Sequence, residues 1–277
     1  MKDWELEAAL AALDPFAPET ANYELEQYST SAHLAAQIVL CAARSFGDVE
    51  GQVVLDLGCG TGILSCACAL AGAARVVGVD VDETALAAAA ENLERCGCEG
   101  DVDLVRADVD AAPPLRLAAV PDICVMNPPF GTRNVGVDAR FVKFALGRVS
   151  SAVYSLHKSS TRAYFVDRAP EWGASAQIVA ELKFDLPKTY KFHRDESRDV
   201  RVDLIRFAVG GAALPPPPPP PPGRAPIPAW ARCWRSCRRA SAATCSARCL
   251  WRARRTARTD SRVCSARTRS RTPRRTS

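Results

Sequence analysis

The chain has 277 residues, of which 48% are hydrophobic, and a net charge of +5 at pH 7, a length suited to one large domain or two small ones. That small charge conceals a division: residues 224–277 hold sixteen Arg and one acid, a net +15, so the rest carries −10. No apolar run reaches the roughly 18 residues of a membrane span, and the acid-bearing start Met1-Lys2-Asp3-Trp4-Glu5 lacks the apolar core of a signal peptide. The twelve cysteines are scattered, and Cys41, Cys59, Cys66, Cys68, Cys96, Cys98 and Cys124 lie within apolar or helical stretches, as small free thiols do in a reducing compartment. A cytosolic or nuclear protein is expected.

In chain order, Trp4 to Asp14 reads as a short amphipathic helix, followed by a turn at Pro15 and Pro18. After Glu26-Gln27-Tyr28 a helix is expected from about His33 to Phe46, capped by Thr30 or Ser31. Gln52 to Leu57 is a buried strand by its aliphatic run. It flows into Gly58-Cys59-Gly60-Thr61-Gly62 and a helix from Ile63 to about Ala71. Strand, glycine loop and helix form the βα unit of a nucleotide-type site, in which glycines permit a tight turn and close backbone approach to a ligand. The spacing Gly-x-Gly-x-Gly, with Asp56 two residues ahead, favours S-adenosylmethionine over a dinucleotide.

The second strand, Arg75 to Asp80, ends in an acid placed about 20 residues beyond the loop, where a carboxylate accepts from two ribose hydroxyls. A helix from Glu83 to Arg95 follows, and Asp82 is available as its cap. The third strand, Val102 to Ala107, ends at Asp108-Val109, where an acid can accept from the exocyclic amine of an adenine. The fourth, Asp122 to Met126, runs into Asn127-Pro128-Pro129-Phe130. Two consecutive prolines stop the strand and remove two backbone donors. They leave an amide, a fixed turn and an aromatic ring where ligands bind in open α/β sheets.

Beyond a Gly131–Gly136 loop, a helix is expected from Asp138 to Val149, a fifth strand from Ser151 to Leu156 and a helix from about Ser160 to Glu171. Two last strands follow, Ala176 to Leu182 and the alternating Asp199 to Phe207. Between them lies the basic, aromatic loop Phe184 to Arg198. The domain is expected to span 1–209. Residues 210–223 are a linker built on the prolines 215–222, and 224–277 form a disordered Arg-rich tail. No metal site is expected, because the tail pairs Cys233/Cys237 and Cys245/Cys249 have no small fold around them.

Together, the glycine loop, the acids after strands two and three and Asn-Pro-Pro-Phe after strand four resemble the class I S-adenosylmethionine-dependent methyltransferases. Such a fold is α/β and Rossmann-like, with a central seven-stranded, mostly parallel sheet, an antiparallel final strand and helices on both faces. The segments Glu26-Gln27-Tyr28-x-Thr30, Met126 to Thr132, Ala152 to Arg162, Asp185 to His193 and Val202 to Phe207 narrow the match. They resemble the methyltransferase-like protein 5 family, which methylates the N6 nitrogen of an adenosine in small-subunit (18S) ribosomal RNA.

The resemblance covers about residues 1–209. It implies cofactor contacts at Gln27, Thr30, Asp56, Gly58, Thr61, Ile63, Asp80, Asp108 and Val109, and catalysis by Asn127, Pro128, Pro129 and Phe130. It also implies a small zinc-ribbon activator subunit that adds a strand to a sheet edge, expected at Val102 to Arg106, and work in both nucleus and cytoplasm. His157, Lys158, Arg162, Lys188, Lys191, His193 and Arg194 would form a positive rim for RNA. Methylation of a protein glutamine or of DNA adenine, or a non-catalytic RNA-binding scaffold, are the competing functions.

Overall fold

A computed structural model describes residues 2–17, 21–22, 24–110, 117, 119–185 and 199–210. The basic loop with Lys188, Lys191, His193 and Arg194, the proline linker and the Arg-rich tail lie outside the described residues.

The glycine loop leads from a strand, β1 (Val53–Leu57), into a helix, α3 (Ile63–Leu70), after two earlier helices, α1 (Asp3–Leu10) and α2 (Ala32–Cys41). Ser31 rather than Thr30 caps α2, its Oγ accepting from Leu34 N at 3.2 Å. Beyond α2 the helical path widens into a π turn over Ala42–Phe46 and closes at Gly47. There follow β2 (Arg75–Asp80), α4 (Glu83–Cys96), β3 (Val102–Arg106), β4 (Ile123–Met126), α5 (Val137–Leu146) and β5 (Ala152–Lys158). The helix expected over 160–171 is broken into a 3-10 turn, α6 (Arg162–Arg168) and a second 3-10 turn with Pro170 at its start, as a missing N–H there demands. Two long strands, β6 (Ala174–Asp185) and β7 (Asp199–Val209), finish the described chain.

The seven strands form one sheet in the order β3-β2-β1-β4-β5-β7-β6. Pairings among β1 to β5 are parallel, whereas β7 is antiparallel to both β5 and β6. The final strand is thus the antiparallel one, inserted between β5 and the edge strand β6.

Parallel strands covered on both faces read as unbroken aliphatic runs, and β1 divides its side chains accordingly. Val54 packs with Leu6, Leu10, Ile38 and Leu64 on the α1–α4 side. Leu55 and Leu57 pack with Val142 and Phe165 on the α5–α6 side. Chain order reverses between β1 and β4, and such a switch point opens a crevice at the carboxyl ends of the strands. Cys41, Cys59, Cys66, Cys68, Cys96, Cys98 and Cys124 are free thiols. No helix of the described residues is long and apolar enough to cross a membrane.

Candidate active site

A cleft of about 270 Å³ opens at that crevice. Its wall includes Gln27, Gly58, Asp80, Asp108, Val109, Asn127, Pro128, Pro129 and Phe130 from the sequence-predicted set. Four strand ends therefore supply one site, although the residues are a hundred positions apart in the chain.

The floor is the glycine loop. Gly58 and Gly60 adopt φ of +73° and +53°, a left-handed region costly for side-chain-bearing residues. A Cβ at Gly60 would lie 2.8 Å from the Phe16 ring, and one at Gly58 3.2 Å from Phe141. Space and backbone angle both require glycine there. Asp80 locks the loop to β2: Oδ2 accepts from Gly60 N at 2.8 Å and Oδ1 from Asp82 N at 3.0 Å. Burial pushes the Asp80 carboxyl above its usual range, although the hydrogen bonds it accepts pull it down. Each of its oxygens keeps lone-pair capacity for a ligand hydroxyl. Asp82 rather than Asp80 caps α4, accepting from Thr84 N at 2.9 Å.

The roof is a strap formed, among the described residues, by 14–17 and 24–30, pinned at several points. Asp14 exchanges two hydrogen bonds with the buried Asn92 side chain, both 2.9 Å. Gln27 Nε2 donates to Asp82 Oδ2 at 2.7 Å. Glu26 Oε1 accepts from Arg133 N at 2.8 Å, joining the strap to the loop behind Phe130. Burial alone would raise the Glu26 carboxyl, but hydrogen bonds from Arg133, Thr132 and Asn134 hold it below its usual value. Glu26 is also the one non-glycine residue among those described with positive φ, at 51°. Phe16, Glu26 and Phe141 all line the cleft. Their contribution had no local sequence signal, because it depends on contacts across long separations.

On the acceptor side, Asn127 Nδ2 donates to Thr30 Oγ1 at 3.0 Å. Asn127 Oδ1 is buried without a hydrogen-bond partner among the described residues. A buried lone carbonyl is costly unless something else supplies a donor. Phe130 stands edge-on to the buried Phe184, ring centroids 5.6 Å apart, and Lys158 Nζ lies 5.8 Å from its ring centre.

The structure places several of the expected residues away from the wall of the cleft. Asp56 has no exposed surface and does not line the cleft; it lies beneath the glycine loop and accepts from Ser65 Oγ at 2.6 Å. Its carboxyl is pushed up to about 7 by burial, the Ser65 hydrogen bond opposing. Thr61 is 7% exposed and its carbonyl accepts from Asn92, while Ile63 packs into the core; Thr61, Ile63 and Thr30 are likewise absent from the cleft wall. His157 is not part of a surface rim. It is fully buried, 3.7 Å from the Phe165 ring centroid, with Asp138 Oδ2 3.8 Å from Nδ1. Burial lowers its pKa against the partial offset of Asp138. Arg162 is half-exposed but committed to Asp203 and Glu181, at 2.7 Å each. Of the described rim residues, Lys158 alone is a half-exposed cation without an ion pair among the described residues, and it stands beside Phe130 rather than on the cleft wall.

The residues present fit S-adenosylmethionine: a side-chain-free cradle at Gly58 and Gly60, a ribose acceptor at Asp80 and a further acid at Asp108. No group of three or more metal-ligating side chains exists among the described residues.

Comparisons with known proteins agree with this geometry. The family described as ribosomal protein L11 methyltransferase (PrmA) matches residues 28–127. The rRNA N(6)-adenosine-methyltransferase METTL5 of Danio rerio is 42% identical over 208 residues, 75% of this chain and 99% of the relative. The Drosophila melanogaster rRNA N(6)-adenosine-methyltransferase Mettl5 is 42% identical over 207 residues, 74% of this chain and 96% of the relative. A crystal structure from Pyrococcus horikoshii, described as a candidate RNA methyltransferase, is 33% identical with a TM-score of 0.64, covering 76% of this chain and 98% of that one. Matched along nearly the whole length of these relatives, the chain belongs to the methyltransferase-like protein 5 family of rRNA N(6)-adenosine-methyltransferases.

Proposed function

We propose that the protein methylates the N6 nitrogen of an adenosine in small-subunit (18S) ribosomal RNA, the base being flipped out of its stack into the Asn127-Pro128-Pro129-Phe130 pocket. The observation that carries this reading is the buried, unpartnered Asn127 Oδ1 on the cleft wall. An exocyclic amine is the donor such an acceptor lacks.

That nitrogen is a poor nucleophile, because its lone pair is delocalised into the purine ring. Asn127 Oδ1 and the Pro128 carbonyl, as two acceptors, would draw its hydrogens out of the ring plane. The lone pair is then directed at the incoming methyl group. S-adenosylmethionine, when bound, supplies that methyl on a sulfonium with a good leaving group. The N6 proton passes to water after transfer, so no strongly shifted base is required. Pro129 stiffens the turn, and Phe130 offers a stacking surface for the flipped base. Positioning and fixed dipoles supply the rate gain.

The sheet leaves β3 at one edge, and the zinc-ribbon activator subunit would add its strand there, covering an edge that otherwise invites aggregation. RNA would approach along Lys158 and the basic loop 186–198, and the protein would act in nucleus and cytoplasm, where the small subunit is made and used.

Protein methylation is the competing reading, given the match to the ribosomal protein L11 methyltransferase family. That match ends at Asn127, before Phe130 and the loop that shape the acceptor side, so it speaks for the cofactor half. Purified protein, with and without the activator subunit, is incubated with labelled cofactor and ribosomal RNA, DNA or release-factor protein. Label in N6-methyladenosine of the 18S species alone is expected. Label in glutamine or in DNA would overturn the assignment.

A further inference from the structure

The loop after Phe130 carries Val135, at 90% exposure the most exposed large apolar side chain among the described residues. One exposed valine on a protein surface is ordinary, but the setting of this one is not. We propose that Val135 is a wedge that enters the RNA stack beside the target adenosine and fills the gap left when that base turns into the pocket. This rests on the proposed flipping of the adenosine and names the form of RNA the site takes, one whose target base starts out stacked between its neighbours.

The local geometry builds the wedge. Val137 N donates to the Asn134 carbonyl at 3.1 Å, closing a four-residue turn. Gly136 takes φ +80° and ψ 8°, the left-handed third position of a type II turn, and Val135 is left as the second residue, at the apex. Asn134 and Val137 line the cleft while Val135 does not, so the valine stands on the rim of the pocket. The loop beneath it is tightly closed: a Cβ at Gly131 would lie 3.4 Å from the Asn134 carbonyl oxygen and 3.5 Å from Gly136 N. Glu26 fastens the same loop through Arg133 N. An apex held in this way, bearing a side chain that is stiff at its only rotatable bond, loses little freedom on insertion. Unstacking is the main cost of flipping a base, because it uncovers the faces of both neighbours. An apolar side chain placed between them restores part of that contact, as inserted wedges do between base steps elsewhere. Phe130 then stacks on the base that has left, and Val135 takes its former place.

The test compares Val135→Ser, which removes the apolar wedge, with Val135→Ile, which keeps it. Thermal unfolding and calorimetry of S-adenosylmethionine binding establish that the fold and the cofactor site are intact in each. Two short RNAs carry the adenosine that receives label in ribosomal RNA. One has its neighbouring bases in place; the other has abasic nucleotides on both sides, so that its adenosine is already unstacked. On the first RNA, kcat/KM of Val135→Ser is expected to fall about tenfold, the worth of burying one valine side chain, and that of Val135→Ile to stay within about twofold. On the second, where no stack remains for a wedge to enter, Val135→Ser and the unaltered protein should agree within about twofold. A 2-aminopurine at the target position of the first RNA, bright when unstacked, follows flipping without methyl transfer, and its rise on binding should be smaller with Val135→Ser. Equal rates for Val135→Ser and the unaltered protein on the first RNA overturn the inference, as does an equal loss on both RNAs, which marks a damaged loop instead of a missing wedge. If the unaltered protein methylates no adenosine, or leaves the 2-aminopurine dark, the reading of function fails; if it methylates and brightens and Val135→Ser matches it, only the role of Val135 fails.

Discussion

Glu26 Oε1 receives the Arg133 backbone N–H at 2.8 Å across 107 positions of sequence. This bond joins the strap over the cofactor side to the loop that follows Phe130. Removing the carboxylate strands a part-buried N–H, at a cost of about 1–3 kcal/mol. Glu26→Ala should therefore loosen both segments. Calorimetry should show S-adenosylmethionine affinity reduced about fivefold or more, and amide exchange over residues 131–136 should quicken while exchange in β1 and β4 does not. Unaltered exchange in the loop would show that the bond fastens nothing.

Asn127→Ala removes the acceptor while leaving the glycine loop and Asp80 untouched. Turnover should fall by about a hundredfold or more, the scale seen when one oriented polar group is taken from a transition state. Cofactor affinity should change less than about twofold. Retained methyl transfer would dismiss Asn127 from catalysis.

Asp80→Ala should have the opposite profile. Its carboxylate holds Gly60 N and Asp82 N and lines the cleft, so the loop geometry is lost together with the ribose acceptor that the proposed function assigns to it. Cofactor affinity is expected to fall about tenfold or more, on the scale of a lost hydrogen bond to a charged group. With cofactor at saturation, kcat should be largely regained. A fall in kcat that saturation cannot repair would place Asp80 in the methyl-transfer step.

How far these features were legible depends on whether their cause is local. The five strands β1 to β5 were readable within about two residues from their aliphatic runs, whereas β6 runs to Asp185, three residues beyond the expected Leu182. The cleft residues were readable where a strand end carries a distinctive turn, as at Gly58, Asp80 and Asn127. His157 shows the limit. The strand expected to end at Leu156 continues to Lys158, drawn on by pairing with β7, where His157 faces Asp203. A residue read as surface thus enters a sheet covered on both faces. Asp56 misleads for a similar reason: its position before the glycine loop is conspicuous in sequence, but its carboxylate points beneath the loop to Ser65. The roles of Phe16 and Glu26 arise from tertiary contact alone.

Asp56 gives a pH dependence of known sign. Its carboxyl titrates at about 7 in the fold and near 3.9 in an unfolded chain. Between those values the folded state holds more protons, so stability falls as pH rises and levels off above about 7. Asp56→Asn carries no such charge. The unfolding free energy of the native protein relative to Asp56→Asn should therefore decline between pH 4 and pH 8 by an amount on the order of a few kcal/mol. A difference that is flat with pH would mean that Asp56 titrates normally.

Lys158 and Arg162 lie four residues apart and carry the same charge, yet they should differ towards RNA. Arg162 donates to Asp203 Oδ1 and Oδ2 and to Glu181 Oε1, at 2.7–2.8 Å, and these two carboxylates hold its guanidinium charged above the ordinary arginine range. Its field is locally cancelled, so it has little to offer a phosphate. Lys158 stands half-exposed with its ammonium 5.8 Å from the centre of the Phe130 ring. Each phosphate neutralised by a protein cation releases counterions, and losing one such contact lowers the salt slope of RNA affinity by about one. Lys158→Ala should show that reduction in a titration of binding against potassium chloride. Arg162→Ala should leave the slope nearly unchanged and lower the unfolding temperature instead, because it uncovers the buried Asp203 carboxylate. His157→Phe, altering a side chain with no exposed surface, should leave the slope unchanged as well. A reduced slope for His157→Phe or Arg162→Ala, with none for Lys158→Ala, would show that RNA meets a different face of the protein.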